Sequence, residues 1–325
     1  MNVEYGTFVP QGWRMEMQHL QGGQSQWNVL TASARALEDA GYDSLWLYDH
    51  FHTVPRPAME PTFECWSTMA ALSQVTSRVR LGQLVTCSAY RNPAYLAKLA
   101  SCVDVMSGGR VDLGIGAGWK TEEFEAYQYP FAGIRERLDR MADTARICRA
   151  MFTDEKATVE GVYHRVTDAI NEPKPVQAGG PPIWIGTQGE KVGLRMVAEV
   201  ADGWNHNRGP DEYERKREIL AGHCRDRGRD PDSVRISVEN TCVIYESEAE
   251  LRDFAARWWP HYNEKQLTRF LANCWTGRAE DIAAEIRFFT ERGASLVICW
   301  FQDLCDAGNE DSQAQRFMRE VVPLV

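Results

Sequence analysis

Val111-Asp112-Leu113-Gly114-Ile115-Gly116-Ala117-Gly118-Trp119 is a short apolar run that ends in closely spaced glycines and an aromatic residue. Its length and its flanking turn residues predict a buried strand, Val111 to Gly116. Helical stretches stand on both sides. Pro93 fits a first helical position, and that helix is predicted to run to about Met106. A second helix is predicted from about Ile134 to Phe152. Working outward, the same alternation continues. Strands are predicted at Tyr5 to Pro10, Ser44 to Tyr48, Val79 to Thr86, Ile183 to Gly186, Gly203 to Asn205, Arg235 to Ile244 and Ser295 to Trp300. Helices are predicted at Trp27 to Ala40, closed by Gly41 as its C′ residue, and at Thr62 to Val75, Glu190 to Ala201, Asp211 to Arg227, Glu280 to Arg292 and Ser312 to Val322.

Eight strand–helix alternations in 325 residues predict an α/β protein, a (β/α)8 TIM barrel forming a single domain over residues 1–325. An open doubly wound sheet is the competing architecture. Two stretches do not fit one strand–helix unit. Residues 153–175 are read as a small β excursion around Ala157 to Tyr163, and residues 248–276 as an extra helical insertion rich in Trp and Arg.

The net charge of −10 argues against nucleic acid, whose phosphates need clustered Lys and Arg. No apolar run approaches membrane-spanning length, and the sequence shows no basic segment followed by an apolar stretch at its start. The nine cysteines include no CxxC pair, which suggests reduced thiols in a cytoplasm.

In such a barrel the site is built at the C-terminal ends of the strands. Asp49-His50 ends strand two, and a His beside an Asp there can exchange a proton near neutral pH; an N-capping Asp with a hydrogen-bonded His is the structural alternative. His50-x-His52 could instead be a metal pair, with His206 and Asp303 recruited from strands six and eight. That reading lacks a His on strand five and has its pair on the second strand instead of the first. Gly114-x-Gly116-x-Gly118 is read either as close strand packing or as backbone approach to a flat ring with Trp119 as a wall. Gly186-Thr187-Gln188-Gly189 could offer N–H groups to a phosphate, with Lys191 and Arg195 adding charge, or be a plain loop-to-helix turn.

The chain resembles the luciferase-like superfamily, and within it the branch that depends on the deazaflavin coenzyme F420. The carrying segments are Ala40-Gly41-Tyr42-Asp43-Ser44-Leu45-Trp46 leading to Asp49-His50, Arg91-Asn92-Pro93, Ser107-Gly108-Gly109-Arg110 into Leu113 to Trp119, Glu172-Pro173-Lys174-Pro175, Pro182 to Gly186, and Ala201 to Asn205. The resemblance implies an F420-dependent oxidoreductase with hydride passing between the deazaflavin and a small organic substrate. It places His50 close to the ring, oriented by Asp49 or a neighbour. Leu84–Val85 would be a bulge with a non-proline cis peptide behind the ring. Thr86 would touch ring or ribityl chain, Gly118 and Trp119 the polar side, and Gln188 and Gly189 the phosphate, with Thr187 and Asn205 completing the cofactor set. Trp119 stands where sugar-phosphate dehydrogenases of the superfamily carry an acidic glutamate, which weighs against that substrate class. A homodimer is also implied.

Three other readings stand beside this one: an FMN-dependent monooxygenase using reduced flavin and oxygen, the metal-dependent hydrolase, and a cofactor-binding protein without catalysis. The segments Gln11 to Gln26, Phe51 to Pro61 and 248–276 would shape the substrate site. Trp13, Trp258, Trp259 and Tyr262 there suggest an apolar or aromatic substrate.

Overall fold

Eight parallel strands pair in sequence and close on one another: β1 (Glu4–Phe8), β2 (Ser44–Leu47), β3 (Arg80–Gln83), β4 (Val111–Gly116), β5 (Ile183–Gly186), β6 (Gly203–His206), β7 (Arg235–Ile244) and β8 (Leu296–Trp300). The ring is completed by β8 on β1, with Glu4 opposite Leu296 and Thr7 opposite Cys299. This computed structural model describes residues 3–207, 209–260 and 262–325. The helices lie outside the ring, and most turn an apolar stripe inward. In the Gly23–Asp39 helix the buried stripe includes Leu30, Ala34 and Leu37. Asn92 caps the Pro93–Ser107 helix by accepting from the Ala94 N–H at 2.9 Å, with Pro93 at the start as expected.

Two tryptophans fill the lower half of the barrel. Trp46 and Trp184 are fully buried, with ring centroids 6.2 Å apart at 90°. Their bulk explains three glycines in the facing strands. A Cβ on Gly82 would stand 2.5 Å from Trp46 Cζ3, one on Gly6 2.7 Å from Trp46 Nε1, and one on Gly203 2.2 Å from Trp184 Cε3. Below them, Arg80 and Asp112 pair at 2.6 Å, and Asp112 also accepts from Trp184 Nε1. These side chains fill the N-terminal half of the barrel, and a chamber lies at the strand tips.

Three stretches depart from expectation. The strand read over Val79 to Thr86 is interrupted. The chain leaves the ladder after Gln83, the Leu84–Val85 peptide is cis, as the family resemblance implied, and a two-residue strand, Thr86–Cys87, resumes pairing opposite Ile115 and Gly116. A short helix, Thr121–Ala126, follows β4 where sequence periodicity shows none. The last helix is α-helical only over Gln313–Arg316 and widens to a π turn over Phe317–Val321. The excursion within 153–175 is an antiparallel hairpin, Ala157–Glu160 with Arg165–Ala169. The 248–276 insertion holds two helices, Glu248–Trp258 and Glu264–Leu271, and leads into a strand, Trp275–Gly277, beside the outer end of β7.

Candidate active site

The tips of β3, β4 and β5 build one wall of a chamber of about 540 Å³. Val85 projects from the cis step into the gap left by three glycines. A Cβ on Gly116 would lie 2.3 Å from Val85 Cγ2. On Gly186 it would lie 3.1 Å from Val85 Cγ1, and on Gly114 only 1.9 Å from the Gln83 carbonyl oxygen. The glycine run thus serves close packing around the bulge, and the bulge is the surface offered to the chamber. Leu84 and Val85 both line it. Thr86 does not: it is fully buried, and its hydroxyl accepts from Trp66 Nε1 at 3.2 Å. The period-2 alternation resumes after the bulge and turns Thr86 away, so Cys87 lines the chamber instead. Gly118 has φ +74, and a Cβ there would stand 2.7 Å from both Cys87 Sγ and Phe124 Cζ. Its carbonyl is held by Arg137.

His50 is positioned by Glu123. Its Nδ1 lies 2.8 Å from Glu123 Oε2, and the same carboxylate accepts from the Phe51 N–H (3.0 Å), the His52 N–H (2.9 Å) and the Tyr90 hydroxyl (3.0 Å). Burial by itself would raise this carboxyl's pKa. The His50 hydrogen bond and charge and the two backbone donors outweigh it and bring the value down to about 2. A carboxylate that stays ionised can only accept, so His50 Nδ1 carries the proton and Nε2 is left for exchange. The imidazole stacks on Trp13, centroids 4.5 Å apart with the ring planes nearly parallel, and meets the Trp119 ring edge-on at 5.6 Å.

Asp49 does not orient His50. Its carboxylate pairs with Arg91 through both oxygens, at 2.6 and 3.0 Å, and accepts from the Cys87 N–H at 2.9 Å. The strand alternation that turns His50 into the chamber turns Asp49 toward its neighbour. Asp49 thereby fixes the backbone just beyond the cis step. Glu123 and Arg91, which brace the chamber, and Arg14, which lines it, were given no role in the sequence reading.

The opposite wall is the loop after β1. Gln11 grips both backbone groups of Tyr48, each at 2.8 Å. Buried Glu16 accepts from the N–H groups of Gln11, Gly12 and Arg14. These bonds hold out Trp13 and Arg14. The Arg14 guanidinium lies 4.4 Å over the Trp300 ring and donates to Thr241 Oγ1 at 3.0 Å. Glu239, from β7, lines the chamber too. Burial pushes its pKa up to about 7, against the opposing pull of Arg14 and a Tyr48 hydrogen bond.

Thr187, Gln188, Gly189 and Asn205 line the chamber on the β5 and β6 side. Thr187 Oγ1 accepts from the Gly189 N–H, and Gln188 bridges Asn207 and Lys216 at 2.8 Å each. The following helix begins at Gly193, three residues later than expected. Lys191 and Arg195 are exposed and do not line the chamber. The residues of the metal reading are dispersed. His52 faces Tyr127, His206 packs among Trp204, Tyr213 and Phe289, and Asp303 accepts from the Gln313 N–H. Among the described residues no three His, Cys, Asp or Glu side chains gather as metal ligands.

A second chamber, about 380 Å³, opens beyond the first and shares Trp13, Arg14 and Trp119 with it. Trp119 is 61% exposed at this junction. The sequence pattern of luciferase-like monooxygenases matches residues 3–298. The chain belongs to the luciferase-like monooxygenase family. Within this luciferase-like family it is similar to an F420-dependent glucose-6-phosphate dehydrogenase of Intrasporangium calvum, 32% identical over 222 residues, covering 61% of this chain and 66% of the relative. It is also similar to an F420-dependent hydroxymycolic acid dehydrogenase of Mycobacterium tuberculosis, 28% identical over 224 residues, 69% of this chain and 61% of the relative. The fold is that of a solved F420-dependent secondary alcohol dehydrogenase, with a TM-score of 0.80 at 21% identity, covering 100% of this chain and 99% of that one.

Proposed function

We propose that the chain is an oxidoreductase that moves a hydride between coenzyme F420, held in the inner chamber, and a small organic substrate above it. The observation that carries this reading is the facing pair of surfaces: the Val85 bulge on one side and His50, fixed through Nδ1 by Glu123, on the other. The chamber volume suits a flat polycyclic group of cofactor size. Relatives named for F420 dependence agree with it.

The residues fit such a group. Leu84 and Val85 give an apolar back wall, and Gly118 and Trp119 border it. Thr187, Gln188, Gly189 and Asn205 give polar contacts on the β5 and β6 side. When bound, the deazaflavin supplies a two-electron donor or acceptor carbon. The chain's own part is to position the reactants, exclude water and manage a proton. His50 Nε2 gives a proton to, or takes one from, the substrate oxygen, while Nδ1–H stays on Glu123. Asp49 is a positioning residue that holds Arg91 and the Cys87 backbone. Trp119 closes the polar side and borders the substrate.

Titration of the purified protein with F420 and with FMN, followed by absorbance and by tryptophan fluorescence, tests the reading. Saturable F420 binding at micromolar concentration with FMN at least tenfold weaker is expected. Preferred FMN binding with oxygen-dependent turnover would establish the monooxygenase reading that the family also contains.

The homodimer reading is supported by a patch of exposed apolar side chains, Tyr95, Met106, Ile170 and Val176. It lies where the Pro93–Ser107 helix meets the segment after the hairpin, tied by Lys98 Nζ to the Glu172 carbonyl at 2.6 Å. A cytoplasmic setting is supported by nine unpaired cysteines. Among the described residues no helix is long and apolar enough to cross a membrane.

A further inference from the structure

Aromatic rings make up about half of the outer chamber's lining, with Met15, Val54 and Pro55 adding apolar surface and Gln18 and Gln302 polar groups. Trp13, Trp119, Trp258, Trp259, Tyr262 and Trp300 face it, with Phe270 behind. The insertion is what brings Trp258, Trp259, Tyr262 and Phe270 there. Trp259 is fixed in place, since its Nε1 donates to Gln302 Oε1 at 2.8 Å and its ring meets Phe270 edge-on at 5.0 Å. Flat rigid walls of this kind select flat partners through stacking.

One charged side chain, Arg14, lines this chamber among the described residues. Its guanidinium rests on the Trp300 face and bonds a neutral hydroxyl, Thr241 Oγ1. Among the described residues no carboxylate lies within ion-pairing distance of it, although the chain carries ten more acidic than basic residues. About half of the described arginines make such pairs; Arg91, for instance, has both Asp49 and Glu64. Arg14 is held by a loop that Glu16 and Gln11 tie down from beneath, so its placement at the junction of the two chambers is built in. A guanidinium kept unpaired between aromatic faces is a ready receptor for an anionic oxygen group. Glu239, which lines the inner chamber and feels the charge of Arg14, is a group whose carboxyl burial pushes toward the neutral form.

We infer that the outer chamber is a substrate subsite for a planar aromatic compound bearing an anionic oxygen group, with the rings among Trp119, Trp258 and Trp259 and the anion on Arg14. This rests on the oxidoreductase reading for its place in a reaction, and it names the substrate class which that reading leaves open. The anion on Arg14 fixes the orientation of the ring system, so the carbon next to the inner chamber is set by the distance from the anion.

Calorimetric titration of the protein with 2-naphthoate and with 2-naphthamide, in the absence and presence of F420, tests the subsite. The two probes share a ring and differ in charge. The wild type is expected to bind the carboxylate about tenfold tighter than the amide, with the difference shrinking in high salt. Arg14→Gln is expected to bring the two affinities together and Arg14→Lys to restore part of the gap. Trp259→Leu is expected to weaken both probes. Equal wild-type affinities, or no binding of either probe at millimolar concentration, overturns the subsite without recourse to any variant. A protein that shows the charge preference but takes up no F420 keeps the subsite and loses the oxidoreductase reading. One that takes up F420 but shows no charge preference does the reverse.

Discussion

His50 and Glu123 act as one unit, and their coupling can be read by mutation. Removing the imidazole with His50→Ala takes away a positioned proton donor, so kcat should fall about 10²- to 10⁴-fold. Glu123→Gln leaves the ring but removes the ionised acceptor that fixes its tautomer. The loss of a charge-assisted hydrogen bond should cost about 10- to 100-fold in kcat. The same variant has a stability signature. Glu123's pKa in the folded chain is brought to about 2, below the ordinary 4.5. The bonds to its carboxylate are therefore intact above about pH 4.5 and are lost as pH falls toward 2. Acid unfolding curves of the wild type and Glu123→Gln should differ most above this window and converge below it. Glu239 has the opposite sign. Burial raises its pKa to about 7, so the folded chain holds that proton where the unfolded chain has released it. Its burden on stability grows as pH rises from about 4.5 to 7, and Glu239→Gln should raise Tm more at pH 8 than at pH 5. His50 was legible because it follows a predicted strand. Glu123 was not: 73 positions separate the two, and Glu122 and Glu123 together look like a solvated acidic helix start. Arg91 was visible only as part of the Arg91-Asn92-Pro93 segment, without a role, and Arg14 was hidden, since a lone arginine on a loop carries no periodic signal.

At the scale of elements, the glycines of β4 and the step after β3 are complementary parts. Gly116→Ala puts a methyl group 2.3 Å from Val85 Cγ2. Overpacking of this kind costs about 1–3 kcal/mol, and it should push the bulge into the chamber. We expect Gly116→Ala to lower Tm and to weaken F420 binding, whereas Gly133→Ala, which meets open space, should leave binding unchanged. The strand positions were legible from short apolar runs between turn residues. The break at Leu84–Val85 was legible through family resemblance alone, since Leu-Val reads as ordinary strand by propensity. The Thr121–Ala126 helix was too short for its period to show, and the widened turn at Phe317–Val321 depends on tertiary packing of the chain end.

For the molecule as a whole, eight alternating units suffice to indicate the barrel, because parallel neighbours need helical crossovers of about this length. The contents of the insertions were less legible, since their helices bury rings against the barrel mouth instead of following its repeat. Light scattering should give twice the chain mass of 36.9 kDa, and Met106→Glu should shift the particle toward the single-chain mass. The tryptophan plug formed by Trp46 and Trp184 has a kinetic corollary. With the floor filled, both ligands pass the same door, and whichever sits deeper must enter first and leave last. Turnover should accordingly be strictly ordered: the two redox forms of the coenzyme should compete for the empty chain, and the organic product should be a mixed inhibitor against the organic substrate. Excess organic substrate should trap the coenzyme inside and slow the overall cycle, as initial-rate and product-inhibition measurements will show.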